Sequence, residues 1–191
     1  MPRRRYIFDP PERFVAGTVG EPGERTFFLQ ARDGGRVVSV VLEKVQVAVL
    51  ADRLNRLLDE LEQRGVTVAS PAVSELAADA EPLDEPVVEA FRAGTLTLGW
   101  DGSSDRVLVE ARAQTQDDLE AGETEVETLA EDDAEDGPDV FRVLLTAPAA
   151  RAFANRAVRV VASGRPPCPL CGQPLDPIGH ICPRRNGHYV N

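Results

Sequence analysis

All three cysteines and both histidines of this 191-residue chain lie between Cys168 and His188, in the run CPLCGQPLDPIGHICPRRNGH. Such clustering constrains the chain more than any other feature it carries. Cys168-Pro-Leu-Cys171-Gly has the form of a zinc knuckle: the Cys-x-x-Cys turn lets two thiolates reach one ion, and Gly172 supplies permissive backbone just after the second ligand. Cys182 offers a third thiolate. The fourth donor is His180 or His188, with His180 favoured as the near neighbour of Cys182. A Cys3His tetrahedron has no open position, so the expected cofactor is zinc in a structural role. Four prolines, Pro169, Pro174, Pro177 and Pro183, stiffen a segment too small to own a core, and metal binding is expected to supply its folding energy. A redox role for Cys168 and Cys171 fits less well, because a third cysteine and two histidines lie alongside and no strand leads into a helix there.

An odd cysteine count in a metal-type cluster argues against a disulfide scaffold. The start, Met-Pro-Arg-Arg-Arg, has no signal-peptide core behind it, and no apolar run approaches the ~20 residues that cross a bilayer. A cytoplasmic protein with no membrane partner is the expectation. The net charge of −11 is local: Asp117 to Asp139 holds twelve acids and no base, and the remainder balances 21 basic against 20 acidic residues. Both ends are basic, through Arg3, Arg4 and Arg5 and through six arginines after position 150 that face only Asp176. Lys44 is the only lysine.

Arg5 to Asp9 reads as a short strand ended by Pro10-Pro11, which removes two ladder donors. Arg13 to Val19 is a second. Arg25 to Arg32 alternates, with Phe27, Leu29 and Ala31 on one face and Phe28 as the exception. Asp33-Gly34-Gly35 then makes a tight hairpin into Arg36 to Leu42, since glycine supplies the positive φ such turns need. From Glu43 the period changes to 3.6: Val47, Leu50, Leu54, Leu57, Leu58 and Leu61 form a helical stripe that ends at Arg64-Gly65.

The second half repeats the plan. Glu89 to Trp100 and Arg106 to Gln114 read as strands around the turn Asp101-Gly-Ser-Ser-Asp105, whose carboxylates are expected to hydrogen-bond the turn. The acidic stretch has dense like charge and no aromatic residue, so it is expected to be disordered. Val140 to Leu145 resumes as a strand, and Thr146 with Pro148 opens a last helix whose apolar stripe is Phe153, Ala154, Ala157, Val158 and Val161. Arg151, Arg156 and Arg159 fall elsewhere on that helix and read as a solvated face. The fold class is therefore α+β: two antiparallel sheet-plus-helix units, ββββα then βββα, and a small zinc module. The first unit spans 1–65, a connector 66–88, the second unit 89–164 with a disordered acidic loop at 116–139, and the zinc module 165–191. The element order resembles the Whirly and Pur-type folds, whose sheets bind single-stranded nucleic acid. Architecture alone does not fix function.

Signals for an enzyme are thin. The chain has no phosphate-cradling loop, no dinucleotide fingerprint and no Gly-x-Ser-x-Gly elbow, and both histidines belong to the zinc region. The expected role is non-catalytic: an interaction or regulatory protein whose zinc-held tail docks on a protein partner. The alternative is a single-stranded nucleic-acid binder using the sheet face or the basic tail, and the third and least favoured reading is an enzyme with an unrecognised pocket. In either of the first two cases Arg151, Arg156, Arg159, Arg184 and Arg185 are the candidate contacts.

The opening YIFDPPERFVAGTVGEPGERTFFLQA, the run VSVVLEKVQVAVLADRLNRLLDEL, the strand LTLGWD and the ending CPLCGQPLDPIGHICPRRNGH together resemble an actinobacterial family known as a domain of unknown function. The resemblance spans nearly the whole chain except the connector and the acidic loop. It implies a cytosolic bacterial protein that ends in a zinc-binding-like segment, CPxCG followed by GHxCPR, and this supports His180 over His188 as the fourth ligand.

Overall fold

The computed structural model describes residues 3–67, 79–116, 118, 126–128, 136–164, 168–171 and 182. In chain order the elements are β1 (Arg5–Phe8), β2 (Arg13–Val19), β3 (Thr26–Asp33), β4 (Arg36–Leu42), α1 (Lys44–Gln63), β5 (Glu89–Asp101), β6 (Arg106–Ala113), β7 (Val126–Thr128), β8 (Val140–Leu145) and α2 (Ala147–Ala162). The hairpin between β3 and β4 has the expected chemistry: Gly34 and Gly35 carry φ of +53° and +79° and pair Asp33 with Arg36. Thr146 caps α2 by accepting from the Ala149 N–H, with Pro148 in the first turn.

All strands among the described residues join in one mixed, eight-stranded sheet ordered β1-β8-β6-β5-β4-β3-β2, with β7 also paired to β5. The strands of the first half, β2 to β4, meet those of the second half edge to edge through a parallel pair, Ser39 opposite Glu89 and Val41 opposite Arg92. Within each half the long pairings are antiparallel, as alternation implies. β1 departs from the expected order. Instead of joining the first unit it pairs in parallel with β8, Arg5 opposite Val140 through Phe8 opposite Val143. The proline pair at 10–11 ends β1 before it can run on into β2, so the two strands are free to take different neighbours.

One face of the sheet is dry. Phe14, Ala16, Leu29, Val40, Leu96, Val109, Phe141 and Val143 form one cluster with the α1 stripe and with Phe153, Ala154 and Ala157 of α2. Each fully buried leucine of α1, such as Leu50, Leu54 and Leu58, contributes about 2 kcal/mol by leaving water. The sheet coils enough to bring its two halves together around this cluster: Phe14 stacks on Phe153 with centroids 4.3 Å apart and stands 6.2 Å from Phe141 of β8. Gln46 ties α1 to the bulged start of β5. Its Nε2 donates to the Ala93 and Gly94 carbonyls, and its Oε1 accepts from the Glu43 N–H.

Residues 79–87 do more than connect. They pass the edge of β2 and cross the opposite face of the sheet, where Leu83 packs on Val15, Phe28 and Val41. This explains Phe28, whose side chain belongs to a second apolar layer. Gly17 is part of the same fit, since a Cβ there would lie 2.6 Å from Leu83 Cγ. The Asp84 N–H donates to Gln30 Oε1, and Gln30 Nε2 donates to Ser39 Oγ and to the Asp84 carbonyl.

Arg156 is the main correction to the solvated-face reading of α2. It is 7% exposed. Its Nε donates to the Ala16 carbonyl at 2.8 Å on β2, Nη2 to the Glu81 carbonyl at 2.7 Å, and Nη1 to both the carbonyl and the carboxylate of Asp79. Arg13 completes the cluster from the strand, reaching Asp79 at 2.6 Å and Asp84 at 2.9 Å. An edge strand with free carbonyls invites pairing with another chain. Here that edge is filled by arginine and by the connector. The expectation of a disordered 116–139 also changes in part: Val126–Thr128 adds a parallel strand beside Leu96–Leu98, and Asp118 accepts from the Thr115 N–H and hydroxyl.

Two tests follow from this clamp. Arg156→Met strands the Ala16 and Asp79 carbonyls, while Arg13 still holds the Asp79 carboxylate and the Glu81 carbonyl, and urea unfolding should show a loss of about 2–3 kcal/mol. Hydrogen bonds from Arg13 hold the Asp79 carboxyl below its ordinary 3.8, against the opposing effect of burial. The unfolded chain therefore binds more protons in acid, so this contribution is complete above about pH 4 and is lost as pH falls further. Comparing urea midpoints at pH 7 and pH 3 should show a smaller acid-induced drop for Asp79→Asn than for the wild type.

Candidate metal centre

Beyond α2 the tail runs into Cys168, at the start of a turn that also carries Cys171. The thiols of Cys168, Cys171 and Cys182 lie within 4.8 Å of one another, and the Cys168 and Cys182 sulfurs are 3.9 Å apart. A disulfide needs about 2.05 Å between sulfurs, whereas two thiolates held about 2.3 Å from one ion at the tetrahedral angle stand about 3.8 Å apart. The spacing is that of ligands to a shared ion, and all three cysteines are unbridged.

Electrostatics favour the same chemistry. The Cys171 and Leu170 N–H groups point at the Cys168 sulfur and hold its thiol below the ordinary value, with burial opposing; the Leu170 nitrogen is 3.4 Å away. Oriented backbone donors of this kind stabilise a thiolate, the form that binds metal. Cys168 and Cys182 are buried and Cys171 is half-buried. Three soft donors in a knuckle can hold one metal ion.

The other expected contact residues scatter. His180, His188, Arg184 and Arg185 lie outside the described residues. Arg151 is turned toward α1, where it donates to the Asn55 side chain at 2.9 Å and pairs with Asp59 at 2.5 Å. Arg156 is sunk in the clamp on Asp79, and Arg159 is exposed. Asp101 serves its turn as expected: hydroxyl donors from Ser103 and Ser104 lower its carboxyl to about 2.

One buried charge had no sequence signal. Glu110 of β6 is 1% exposed and is held between Arg112 at 2.9 Å and Arg142 of β8 at 2.7 Å. Only its register opposite Arg142 reveals the pair. Alternation along β6 places it on the face away from the helices, which is the face a solvent-exposed charge would take.

Fold and site define an α+β protein whose tail carries a cluster of three cysteines able to hold a metal ion. The chain belongs to the family described as protein of unknown function (DUF3090), whose model matches residues 6–182. No curated protein and no solved structure matches it. Among the described residues no helix is long and apolar enough to cross a membrane. Elemental analysis of the isolated protein should find one metal ion per chain. Cys182→Ser should weaken retention at least tenfold in a chelator competition, and three freely titratable thiols in the untreated wild type would refute the site.

Proposed function

We propose that this is a non-catalytic interaction protein, an adaptor or regulator in the cytoplasm of an actinobacterial cell, in which a structural zinc ion shapes the tail as a docking surface for a protein partner. The convergence of Cys168, Cys171 and Cys182 carries the reading. Three thiolates leave one position on a tetrahedral ion, and a histidine from the same tail closes it, so the ion has no vacancy for substrate. His180 is the preferred fourth ligand. The family match, which ends at Cys182, includes His180 and leaves out His188, Arg184 and Arg185.

A protein partner is favoured over single-stranded nucleic acid by the state of the basic groups. Phosphate recognition needs arginines that are free to reach a backbone. Arg151 and Arg156 are committed to Asp59 and Asp79. The first half of the sheet has its outer face covered by Leu83 and Asp84, so that surface is not an open platform for stacked bases. Cysteines grouped as metal donors and left unbridged support placing the protein in a reducing compartment.

The test is affinity capture from the native lysate with the tagged full-length chain, in parallel with Cys171→Ser and with the zinc content of each recorded. A partner held by the zinc-loaded chain and lost with the metal supports the proposal. Identical captures by both, or a salt-sensitive shift of single-stranded oligonucleotides in place of any protein partner, would overturn it.

A further inference from the structure

A second site, built from different elements, lies where the start of β3, the first residue of α1 and the end of α2 meet. They line a cleft of about 480 Å³ that opens to solvent, a size that suits a small organic molecule. Two cationic side chains line it, Arg25 and Lys44, and no carboxylate does among the described lining residues. Phe27, Val160 and Val161 supply apolar wall.

Part of the positive charge has a structural use. Arg25 Nη1 donates to the Ser163 carbonyl at 2.8 Å and to its hydroxyl at 3.2 Å, closing the C-terminal end of α2. A helix end carries only about half an elementary negative charge, so a guanidinium and an ammonium together exceed what α2 requires. The nearest acid in sequence to Lys44, Glu43, is occupied at the start of α1 in the capping box with Gln46. Arg25 also carries a buried Nε–H with no acceptor among the described residues. An arginine head beside a lysine is the pair of donors that grips carboxylate and phosphate oxygens. Gly164 leaves room beside the ammonium, since a Cβ there would stand 3.4 Å from Lys44 Nζ.

We propose that this cleft binds a small amphiphilic anion, with its carboxylate or phosphate head between Arg25 and Lys44 and its apolar body against Phe27 and the last turn of α2. The test uses the metal-loaded full chain and isothermal titration with four probes: octanoate, phenyl phosphate, inorganic phosphate and phenol. Octanoate or phenyl phosphate should bind at one site per chain, at least tenfold more tightly than inorganic phosphate, which lacks the apolar body, or phenol, which lacks the charge. Lys44→Gln should weaken that binding about tenfold or more. Gly164→Val should weaken it about tenfold by crowding the Lys44 ammonium with both cations intact, and it keeps the test valid if the lysine variant folds poorly. Arg25 is left unchanged because it also closes α2. Absence of saturable binding by either organic anion, equal affinity for phenol, or binding unaffected by both substitutions overturns the proposal.

Discussion

The buried guanidinium of Arg156 is the constraint on which the rest of this architecture turns. Burying an arginine costs several kcal/mol unless its donors are filled. Here the acceptors come from β2 and from the connector, Ala16, Asp79 and Glu81, none of them on the arginine's own helix. The interaction therefore joins three parts of the chain at one point and dictates where the connector crosses the edge of β2. Beyond that crossing, Leu83 finds the space above Gly17, Gln30 takes the Asp84 backbone, and β5 can begin in parallel beside β4. The first half of the sheet is thus covered on both faces, by helices on one side and by the connector on the other.

The tail obeys a different rule. Nothing after α2 resembles the apolar stripes that hold the body together, and the described part of the tail is organised around sulfur. Cys168 and Cys182, fourteen positions apart, are as buried as many core residues without belonging to the core clusters. Order in the body depends on removing apolar surface from water, whereas the tail, on the proposed reading, would take its order from an ion. Chelation would then act on the tail and urea on the body.

Local structure was legible wherever a short-range pattern decided it. Alternation around Leu29 and Val109, the 3.6-residue spacing of Leu50, Leu54 and Leu58, the Gly34-Gly35 turn and the Thr146 cap all act within a few residues, and each element formed close to where its pattern placed it. The thiol cluster was legible for the same reason, since Cys168 and Cys171 share one turn. What escaped depends on distant partners. Arg156 follows Phe153 and Ala154 closely enough to fall on the buried side of α2, yet a charged residue there reads as solvated until Asp79, 77 positions earlier, is known to face it. Glu110 is silent until Arg142 arrives across the sheet. Phe28 was the one local clue to the outer layer, a phenylalanine on the wrong face that made sense only with Leu83 above it.

The parallel pair of β1 and β8 has a consequence for how the protein is made. Arg5 pairs with Val140, so the first strand of the chain has no strand partner until the eighth has been synthesised. At roughly 5–20 residues per second, translation leaves β1 waiting on the order of ten seconds. During that interval Phe8, destined for the core, stays without its place against Phe141. The three arginines ahead of Tyr6 give this waiting strand the charge that discourages premature strand-to-strand association. Completion of the sheet is in this sense a late event that waits for β8, even though β1 precedes every other described strand.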